Sequence, residues 1–327
     1  WIPSRQEFDY ETKSGRNIFK GTTLLRFSAF EPNITFPSRF FGNEVAITER
    51  DAYEKDSSYW NSTRPEPLTP DQRKVVAYRD SIEAAHKDKI YLDSIEARYN
   101  KVTVGEVLYN GVGFRNDSTR SNLYFSSLLS TIGFEVVGGW RVSPFVMYSR
   151  QYASGRILYT NASTSLGIKN QDLQGNLSLW LRYDPYHLGD ASIRFGRSFQ
   201  SINPFDAYLN QLRISNYIVH DFVSVFHRRE FFNGFYLSTD LNFSNREPVT
   251  GYDATSIINE LIDPVEALKF ESYRALISNI KVAYTPQQKY MSEPNRKVVL
   301  GSRYPTFSVT HRKGWAAQPL SDINFDY

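Results

Sequence analysis

The chain has 327 residues, of which 15% are aromatic and none is cysteine, and its 38 Lys and Arg against 35 Asp and Glu give a net charge of +3. Positive and negative charges nearly balance, so the composition does not indicate nucleic-acid binding. The absence of cysteine excludes a disulfide framework, a thiolate metal site and a cysteine nucleophile. No run of 18 apolar residues occurs, which argues against transmembrane helices but not against transmembrane strands, because a strand faces lipid only at every second residue.

The N-terminal part of the chain divides into two predicted regions. Residues 1–60 mix short apolar alternations with Pro and Asn, which predicts a small, irregular β region. Residues 61–133 begin as an aromatic, Pro-rich linker, continue into a helical pattern and end in a connection to the rest of the chain.

A signal for the start of a helix stands at Thr69. Thr69 suits the N-cap, Pro70 the first helical position and Gln72 the return hydrogen bond of a capping box. Apolar residues then recur near a period of 3.6, with a break around 87–89. The pattern predicts one long helix or two shorter helices over 70–99.

From residue 134 onward the hydrophobic period changes to two, which is typical of strands with two unlike faces. The eight predicted strands cover residues 134–149, 156–169, 173–183, 192–199, 218–228, 235–245, 274–284 and 297–310. Their connections alternate between short turns and long loops, as in outer-membrane barrels.

The length of these segments favours a membrane protein over a soluble sandwich. A tilted strand needs about 9 to 11 residues to cross a bilayer, whereas strands of soluble proteins have about 5 to 6. We therefore expect a mainly β fold in which residues 134–327 form an antiparallel up-and-down transmembrane β-barrel, or part of one. The alternative is a soluble β protein that fills its core with aromatic residues.

Aromatic residues near the predicted strand ends support the membrane interpretation, because Tyr and Trp prefer the headgroup level of a bilayer. The predicted membrane-interface aromatics are Trp140, Tyr148, Tyr152, Trp180, Tyr183, Tyr236 and Tyr284.

Several local motifs together resemble a known family. They are Trp1-Ile2-Pro3, Tyr59-Trp60-Asn61, Arg64-Pro65-Glu66-Pro67-Leu68-Thr69, Ser130-Thr131-Ile132-Gly133-Phe134, Asn242-Phe243-Ser244-Asn245-Arg246 and Gly301-Ser302-Arg303-Tyr304-Pro305. In their order and spacing the chain is similar to Bacteroidota outer-membrane proteins with a carboxypeptidase-regulatory-like N-terminal domain and a barrel of the BamA/TamA surface-antigen superfamily.

The resemblance implies a location, partners and a role. The chain looks like a middle portion of such a protein, with an incomplete barrel in the outer membrane of the Gram-negative envelope. Its implied partners are outer-membrane lipid, other envelope proteins or a chain that completes the barrel, and no nucleic acid. The implied role is the insertion or export of envelope proteins through a weakly paired barrel seam.

The candidate seam lies in the first predicted strand, 134–149. Gly138, Gly139 and Pro144 all weaken strand pairing, and Pro is tolerated only at edges or bulges. The alternative is that these residues mark a bend or bulge in an ordinary porin-like strand.

Catalytic chemistry finds little support in the sequence. His220 and His227 are an odd number of residues apart on a predicted strand, so that their rings face opposite sides. Motifs of zinc peptidases, serine hydrolases and nucleotide-binding loops do not occur. We expect a non-enzymatic protein without catalytic residues, metal or cofactor. The alternatives from other classes are a soluble all-β glycan-binding module and an envelope hydrolase that uses a carboxylate pair.

The predicted helical region is strongly charged. Between residues 70 and 99 it carries twelve acidic and basic side chains, for example Asp71, Lys74 and Glu96. Burying such charges in lipid costs about 2.5 to 3.5 kcal/mol each at the bilayer centre. We expect this N-terminal part to lie on the periplasmic side, packed on the β region of residues 1–60 or on the barrel mouth; the alternative is a helix that plugs the barrel.

Overall fold

The structure is a computed structural model that describes residues 4–15, 17–27, 30–37, 40–64, 66–205, 211–253 and 266–327. Half of the chain is strand and 18% is helix, so the fold is mainly β, as predicted. Contacts divide the chain into two compact units, Trp1–Gly42 with Glu49–Ser81, and Asn43–Thr48 with Ile82–Tyr327. The predicted division into 1–60, 61–133 and 134–327 stays a prediction.

The elements, in chain order, are as follows. The strands are β1 (Arg5–Ser14), β2 (Asn17–Arg26), β3 (Glu44–Ile47), β4 (Val112–Asn116), β5 (Ser121–Phe125), β6 (Ile132–Glu135), β7 (Gly139–Val142), β8 (Phe145–Gln151), β9 (Ile157–Gly167), β10 (Leu173–Asp184), β11 (Gly189–Ser201), β12 (Tyr217–Phe232), β13 (Phe235–Pro248), β14 (Tyr273–Tyr284), β15 (Lys289–Glu293), β16 (Arg296–Gly301), β17 (Phe307–Gly314) and β18 (Phe325–Asp326). The helices are α1 (Ser57–Thr63), α2 (Pro70–Lys87), α3 (Lys89–Tyr99) and α4 (Leu128–Thr131).

The helix predicted over 70–99 is confirmed as two helices, α2 and α3. The Thr69 amide donates to Gln72 Oε1 at 3.0 Å and the Gln72 amide donates to Thr69 Oγ1 at 3.3 Å, which is the predicted capping box. Asp88 separates the helices, and its carboxylate caps α3 by accepting from the Ile90 amide at 3.0 Å. Among the described residues, no helix has both the length and the hydrophobicity needed to cross a membrane.

A 13-stranded sheet dominates the second unit. Its path runs β4, β5, β8, β9, β10, β11, β12, β13, β14, β17, β18, with the β6–β7 hairpin attached to β9, and all of these pairings are antiparallel. The prediction of an antiparallel sheet is confirmed. The sheet is not closed into a barrel in the described part of the chain, since its path ends at β4 and at β18.

Six of the eight predicted strands coincide with the central strands β9 to β14. The single strand predicted over 134–149 is wrong. Gly138 and Gly139, with φ of 84° and 73°, turn the chain between β6 and β7, and Pro144 separates β7 from β8. The sheet also begins upstream of residue 134, because β4 and β5 pair in front of β8.

The strand predicted over 297–310 is also wrong, because this segment contributes to two different sheets. Residues 296–301 form β16, whereas β17 begins at Phe307 and pairs with β14. Gly301, with φ of 104°, ends β16 in a conformation that favours glycine. The small sheet has the order β16–β15–β3, in which β3 lies parallel to β15.

The interior of the described structure is unusually polar. Its buried apolar side chains are Val137, Ile218, Val219, Val249, Ala275 and Ile277. Thirteen buried residues are polar or charged, including Arg141, Glu230 and Lys297. A soluble domain normally shows the reverse balance, since apolar burial is its main source of stability.

Candidate functional site

An unbroken row of apolar side chains crosses nine strands of the large sheet, from β4 to β14. The row consists of Val112, Phe125, Val146, Ala162, Leu177, Phe195, Val223, Phe243 and Leu276, each the cross-strand partner of the next. Cross-strand partners point to the same side of a sheet. A second row on the same side holds Leu179, Ile193, Val225 and Leu241. We call this side the apolar face.

The apolar face is open to solvent rather than covered. Phe195 and Val223 are 43% and 42% exposed, and Val225 and Leu241 are 46% and 47% exposed. A contiguous exposed patch of this kind marks a surface that binds another apolar phase or partner.

The opposite side, which we call the polar face, carries hydrophilic side chains on the five central strands β9 to β13. One row consists of Asn161, Ser178, Arg194, Ser224 and Asn242. Ser224 is buried, and its Oγ donates to Asp240 Oδ2 at 3.1 Å while accepting from Arg194 Nη2 at 3.4 Å. At these positions the hydrophilic side of the sheet is more buried than the apolar side.

A charged ladder continues the polar face toward the short-turn end of the sheet. Arg182, Asp190 and Arg228 are cross-strand partners on β10, β11 and β12. Arg182 Nε lies 2.8 Å from Asp190 Oδ1, and Arg228 Nη2 lies 3.0 Å from Asp190 Oδ2. The buried Asp190 carboxylate therefore pairs with both guanidinium groups, and the three side chains together carry a net positive charge.

At the same end, a buried polar cluster fastens the β15–β16 hairpin to the turn between β12 and β13. Lys297 Nζ lies 2.6 Å from Glu230 Oε2 and donates to Asn233 Oδ1 at 2.9 Å. Glu230 Oε1 accepts from the Gly234 amide at 2.8 Å and from Gln288 Nε2 at 3.0 Å. The Tyr236 hydroxyl completes the cluster at 3.1 Å from Gln288 Oε1. We call these five side-chain positions and the Gly234 amide the latch.

The small sheet extends this attachment to β3. The Ser292 hydroxyl on β15 donates to Glu44 on β3 and lies 3.0 Å from the Tyr186 hydroxyl in the turn between β10 and β11. Burial raises the pKa of the Tyr290 phenol, and the nearby Glu44 carboxylate raises it further. The phenol therefore stays protonated over the physiological range.

A second buried cluster lies where β7 meets β9, at the long-loop end. Arg141 is fully buried, and it donates to Asp172 Oδ1 at 3.0 Å and to Asp172 Oδ2 at 2.8 Å. Its Nε donates to Ser165 Oγ at 2.8 Å, and Glu135 Oε2 lies 3.6 Å away. A bidentate pair of this kind fixes both side chains in one geometry.

Comparison with known proteins bears on the same region. A family model described as "Family of unknown function (DUF5686) C-terminal domain" matches residues 105–327, about two thirds of the chain. The chain belongs to this family. The searches of curated proteins and of solved structures found no match. The matched DUF5686 C-terminal domain takes in every strand of the large sheet.

The three candidate seam residues of this DUF5686 domain lie around the β6–β7 hairpin. The Gly138 amide donates to the Asp253 carbonyl at 2.8 Å, and a Cβ on Gly138 would meet Asn170 Nδ2 at 2.7 Å. Gly139 opens β7, and Pro144 lies between β7 and β8. Because β8 pairs with both β5 and β9, the end of the sheet lies at β4 rather than at the candidate seam residues.

The seven predicted interface aromatics do not share one face of the DUF5686 sheet. By strand alternation, Trp140, Tyr148, Tyr183 and Tyr284 lie on the apolar face, Trp180 and Tyr236 lie on the polar face, and Tyr152 lies in the turn before β9. Tyr236 belongs to the latch, and the Trp180 ring lies 5.4 Å from the Arg182 guanidinium. An interface role is consistent with the apolar-face members alone.

An aromatic cluster that joins three phenylalanines to the predicted interface residue Tyr284 lies at the short-turn end of the apolar face. Phe232 and Phe235 stack with centroids 4.6 Å apart, and Tyr284 lies 6.0 Å from Phe232. Phe307 pairs with Tyr284 across the sheet and is 61% exposed. The signal in the sequence was the repeated placement of Phe beside strand ends.

The histidines of the domain contribute to hydrogen bonds rather than to a cluster. His220 and His227 lie on opposite faces of β12, as predicted from their odd separation. His227 Nε2 lies 2.6 Å from the Tyr183 hydroxyl, and His187 Nδ1 lies 2.9 Å from Asp184. Within the residues that the structure describes, no three His, Asp or Glu side chains are grouped to hold a metal ion.

Proposed function

We propose that the chain is a non-enzymatic outer-membrane β-barrel protein, or part of one, of a Gram-negative envelope. Strands β9 to β14, which have 11 to 16 residues, would cross the bilayer. The observation that carries the proposal is the partly exposed apolar row over nine strands, with a polar row on the opposite side of five of them, β9 to β13. Membrane barrels have this inverted pattern, whereas a soluble sandwich buries its apolar face against a second layer.

The height of the apolar face supports the proposal. On β13, Phe235, Leu237, Thr239, Leu241 and Phe243 point to this face, and only Thr239 is polar. The run from 235 to 243 matches the roughly 9 to 11 residues that a tilted strand needs to cross a bilayer. The aromatic cluster around Phe232 and Phe235 would then lie at the headgroup level.

The two ends of the sheet suggest an orientation. Short turns at 152–156, 185–188 and 233–234 share one end with the connection 285–306, which carries β15 and β16. The long connections 202–216 and 249–272 share the other end with the short turn 168–172. Outer-membrane barrels have short turns on the periplasmic side and longer loops outside. The latch and α3 lie at the short-turn end, which supports a periplasmic position for this part of the chain.

An open sheet in lipid needs a partner for each edge, because unpaired backbone groups are costly there. We therefore propose that further strands, or another chain, pair with β4 and β18. The resemblance to proteins with a carboxypeptidase-regulatory-like domain and a BamA/TamA-like barrel is consistent with that larger assembly. Its partners would be outer-membrane lipid and other envelope proteins.

A role in inserting or exporting envelope proteins is a second proposal, favoured by the end of the sheet at β4. This strand has five residues and pairs on one side with β5, so an incoming strand could add to its other side. Cysteines placed at the paired positions Val112 and Phe125 would lock β4 to β5. If the disulfide-locked protein supports normal envelope assembly in cells, motion between these two strands is not needed.

The membrane proposal is tested with one substitution on each face of β11. Ile193→Arg places a charge on the apolar face, and Ser192→Arg places the same charge one residue away on the polar face. In phosphatidylcholine vesicles we expect Ile193→Arg to lower the free energy of unfolding by about 2 to 4 kcal/mol and Ser192→Arg to change it little. Urea titration followed by tryptophan fluorescence measures both.

The two alternative functions, a soluble glycan-binding module and an envelope hydrolase, predict different experimental results. A chain that is monodisperse and folded in plain buffer, with equal effects of the two arginine substitutions, would favour a soluble all-β glycan-binding module and overturn the membrane proposal. An envelope hydrolase would require that a carboxylate substitution abolish a measurable glycosidase activity without loss of folding.

A further inference from the structure

A cavity of about 710 Å³ lies at the short-turn end of the sheet, between α3 and the ends of β4, β5, β8 and β9. Three arginines line it, Arg115, Arg120 and Arg150, together with polar groups such as Asn122 and Ser149. Its volume is in the range of sites for small ligands, about 300 to 1,000 Å³. It lies entirely within the second unit of the chain.

The charge in this cavity is only partly neutralised. Asp117 is the one acidic residue in its lining, and it pairs with Arg115. Within the described part of the chain, neither Arg120 nor Arg150 has an acidic partner. The lining therefore carries a net charge of about +2, with two guanidinium groups free to bind an anion.

Arg150 is the more constrained of the two free arginines. Its guanidinium lies 4.8 Å from the centre of the Tyr152 ring, which limits its orientation. Its Nε is buried and has no hydrogen-bond partner. Since Nε is closed to solvent, a ligand in the cavity would contact the two terminal amino groups of this guanidinium.

The walls of the cavity are held by side-chain hydrogen bonds to the backbone. Asn100 at the end of α3 donates to the Arg115 carbonyl at 2.8 Å and accepts from the Arg115 amide at 2.6 Å. Glu96 on α3 accepts from the Asp117 amide at 2.9 Å. Asn116 Oδ1 accepts from the Thr119 amide at 2.9 Å and so shapes the turn before Arg120. A site fixed in this way needs little ordering when a ligand binds.

We propose that this cavity binds the phosphate monoester of a molecule with several hydroxyl groups, such as a sugar phosphate. Arg120 and Arg150 bind the phosphate oxygens, since a planar guanidinium matches phosphate with paired, charge-assisted hydrogen bonds. Ser121 and Asn116, which line the cavity in register with Arg150 on the same side of the sheet, bind the hydroxyl groups of that molecule. This inference does not depend on the membrane proposal, because it rests on the cavity alone.

The same chemistry has two possible sources, a soluble sugar phosphate and the phosphorylated headgroup of a lipid. Isothermal titration calorimetry on the full chain in detergent with glucose 6-phosphate, inorganic phosphate and glucose addresses the soluble source. Flotation with phosphatidylcholine vesicles that contain phosphatidic acid, a lipid phosphate monoester, addresses the lipid source. Binding in either arm supports the proposal and identifies the source.

The variants are Arg120→Gln, Arg150→Gln and the pair combined. Arg156→Gln is the matched control, because Arg156 is an exposed arginine in the neighbouring turn and does not line the cavity. We expect each cavity variant to weaken binding of the probe about tenfold, the pair to abolish it and the control to leave it unchanged. Glucose, which lacks the phosphate, should bind at least tenfold more weakly than glucose 6-phosphate.

Three results would overturn the proposal. They are no binding of any phosphate probe by the unmodified chain, equal binding of glucose and glucose 6-phosphate, and equal binding by the unmodified chain and the double variant. Circular dichroism of each variant separates a lost ligand site from lost folding. A variant with native strand content but no phosphate binding supports the site directly.

Discussion

Lys297 Nζ lies 2.6 Å from Glu230 Oε2, with the two side chains only 4% and 2% exposed. The residues are 67 positions apart, so the pair joins the β15–β16 hairpin to the end of β12. A buried ion pair contributes little when compared with apolar residues of the same shape, but breaking it leaves a charge without a partner. The latch therefore makes the position of the hairpin depend on two side chains.

Replacing Lys297 with Met should destabilise the protein strongly. Glu230 would keep its hydrogen bonds from the Gly234 amide and Gln288 but would lose its counter-charge. We expect a loss of about 3 to 5 kcal/mol in the free energy of unfolding, measured by urea titration. The control is Arg296→Ala, because Arg296 is 65% exposed and its pair with Glu293 should contribute less than about 1 kcal/mol. Equal effects of the two substitutions would contradict the prediction.

Replacing Arg141 with Lys should also be costly, although it keeps the charge. A lysine cannot reproduce the two bonds to Asp172 together with the bond to Ser165. We expect a loss of about 2 to 4 kcal/mol, because buried acceptors are left without partners. Lys169→Ala is the control, since Lys169 is 45% exposed. If Arg141→Lys has the same free energy of unfolding as the unmodified protein in urea titration, the bidentate pair with Asp172 is not needed for stability.

Glu96→Ala should loosen α3 from the turn that follows β4. The Asp117 amide would lose its acceptor, at a cost of about 1 to 3 kcal/mol. Hydrogen exchange should become faster at Asp117 and along α3, while the central strands keep their protection. Asp93→Ala changes an exposed acid on the same helix and should leave exchange unchanged. Unaltered protection in Glu96→Ala would show that α3 is held by other contacts.

The hydrogen bond from the Arg274 amide to the Asp322 carboxylate should depend on pH. The Arg274 amide donates to Asp322 Oδ2 at 2.8 Å, and this bond, together with one from Gln318, lowers the pKa of the carboxyl below its ordinary value of 3.8. A lowered pKa means that the stabilisation is present above the unfolded value and is lost as the pH falls through the folded value. The protection factor of the Arg274 amide should therefore fall only in strong acid. In Asp322→Asn it should be lower and independent of pH in that range.

The sequence predicted the regular elements better than their connections. Strands β9 to β14 were evident because alternation over many residues is a strong signal, and the capping box at Thr69 marks the start of α2 by local chemistry alone. The β6–β7 hairpin was missed because Val136 and Val142 continue the alternation on either side of Gly138, whose positive φ reverses the chain. Local patterns do not report such reversals when apolar residues flank them.

The candidate sites were harder to predict, because their members are distant in sequence. Glu230 and Lys297 belong to strands of different sheets, and neither has a neighbour in sequence that indicates its partner. The cavity arginines come from two strands and a turn, which the sheet pairing brings together. The alternation in the sequence predicted that each strand has an apolar side. That these sides form one continuous row over nine strands could be seen only from the pairing register in the structure.

The parallel pairing of β3 with β15 has a consequence for the order of folding. Ser292 and Glu44, which join these strands, are 248 positions apart. During synthesis from the N-terminus, β3 is made long before its partner and must keep an unpaired edge until residue 292 has emerged. Unpaired edges invite association with other chains, and distant pairings form slowly. The small sheet is therefore a late step of folding, and a nascent chain shortened before β15 would leave β3 without its strand partner.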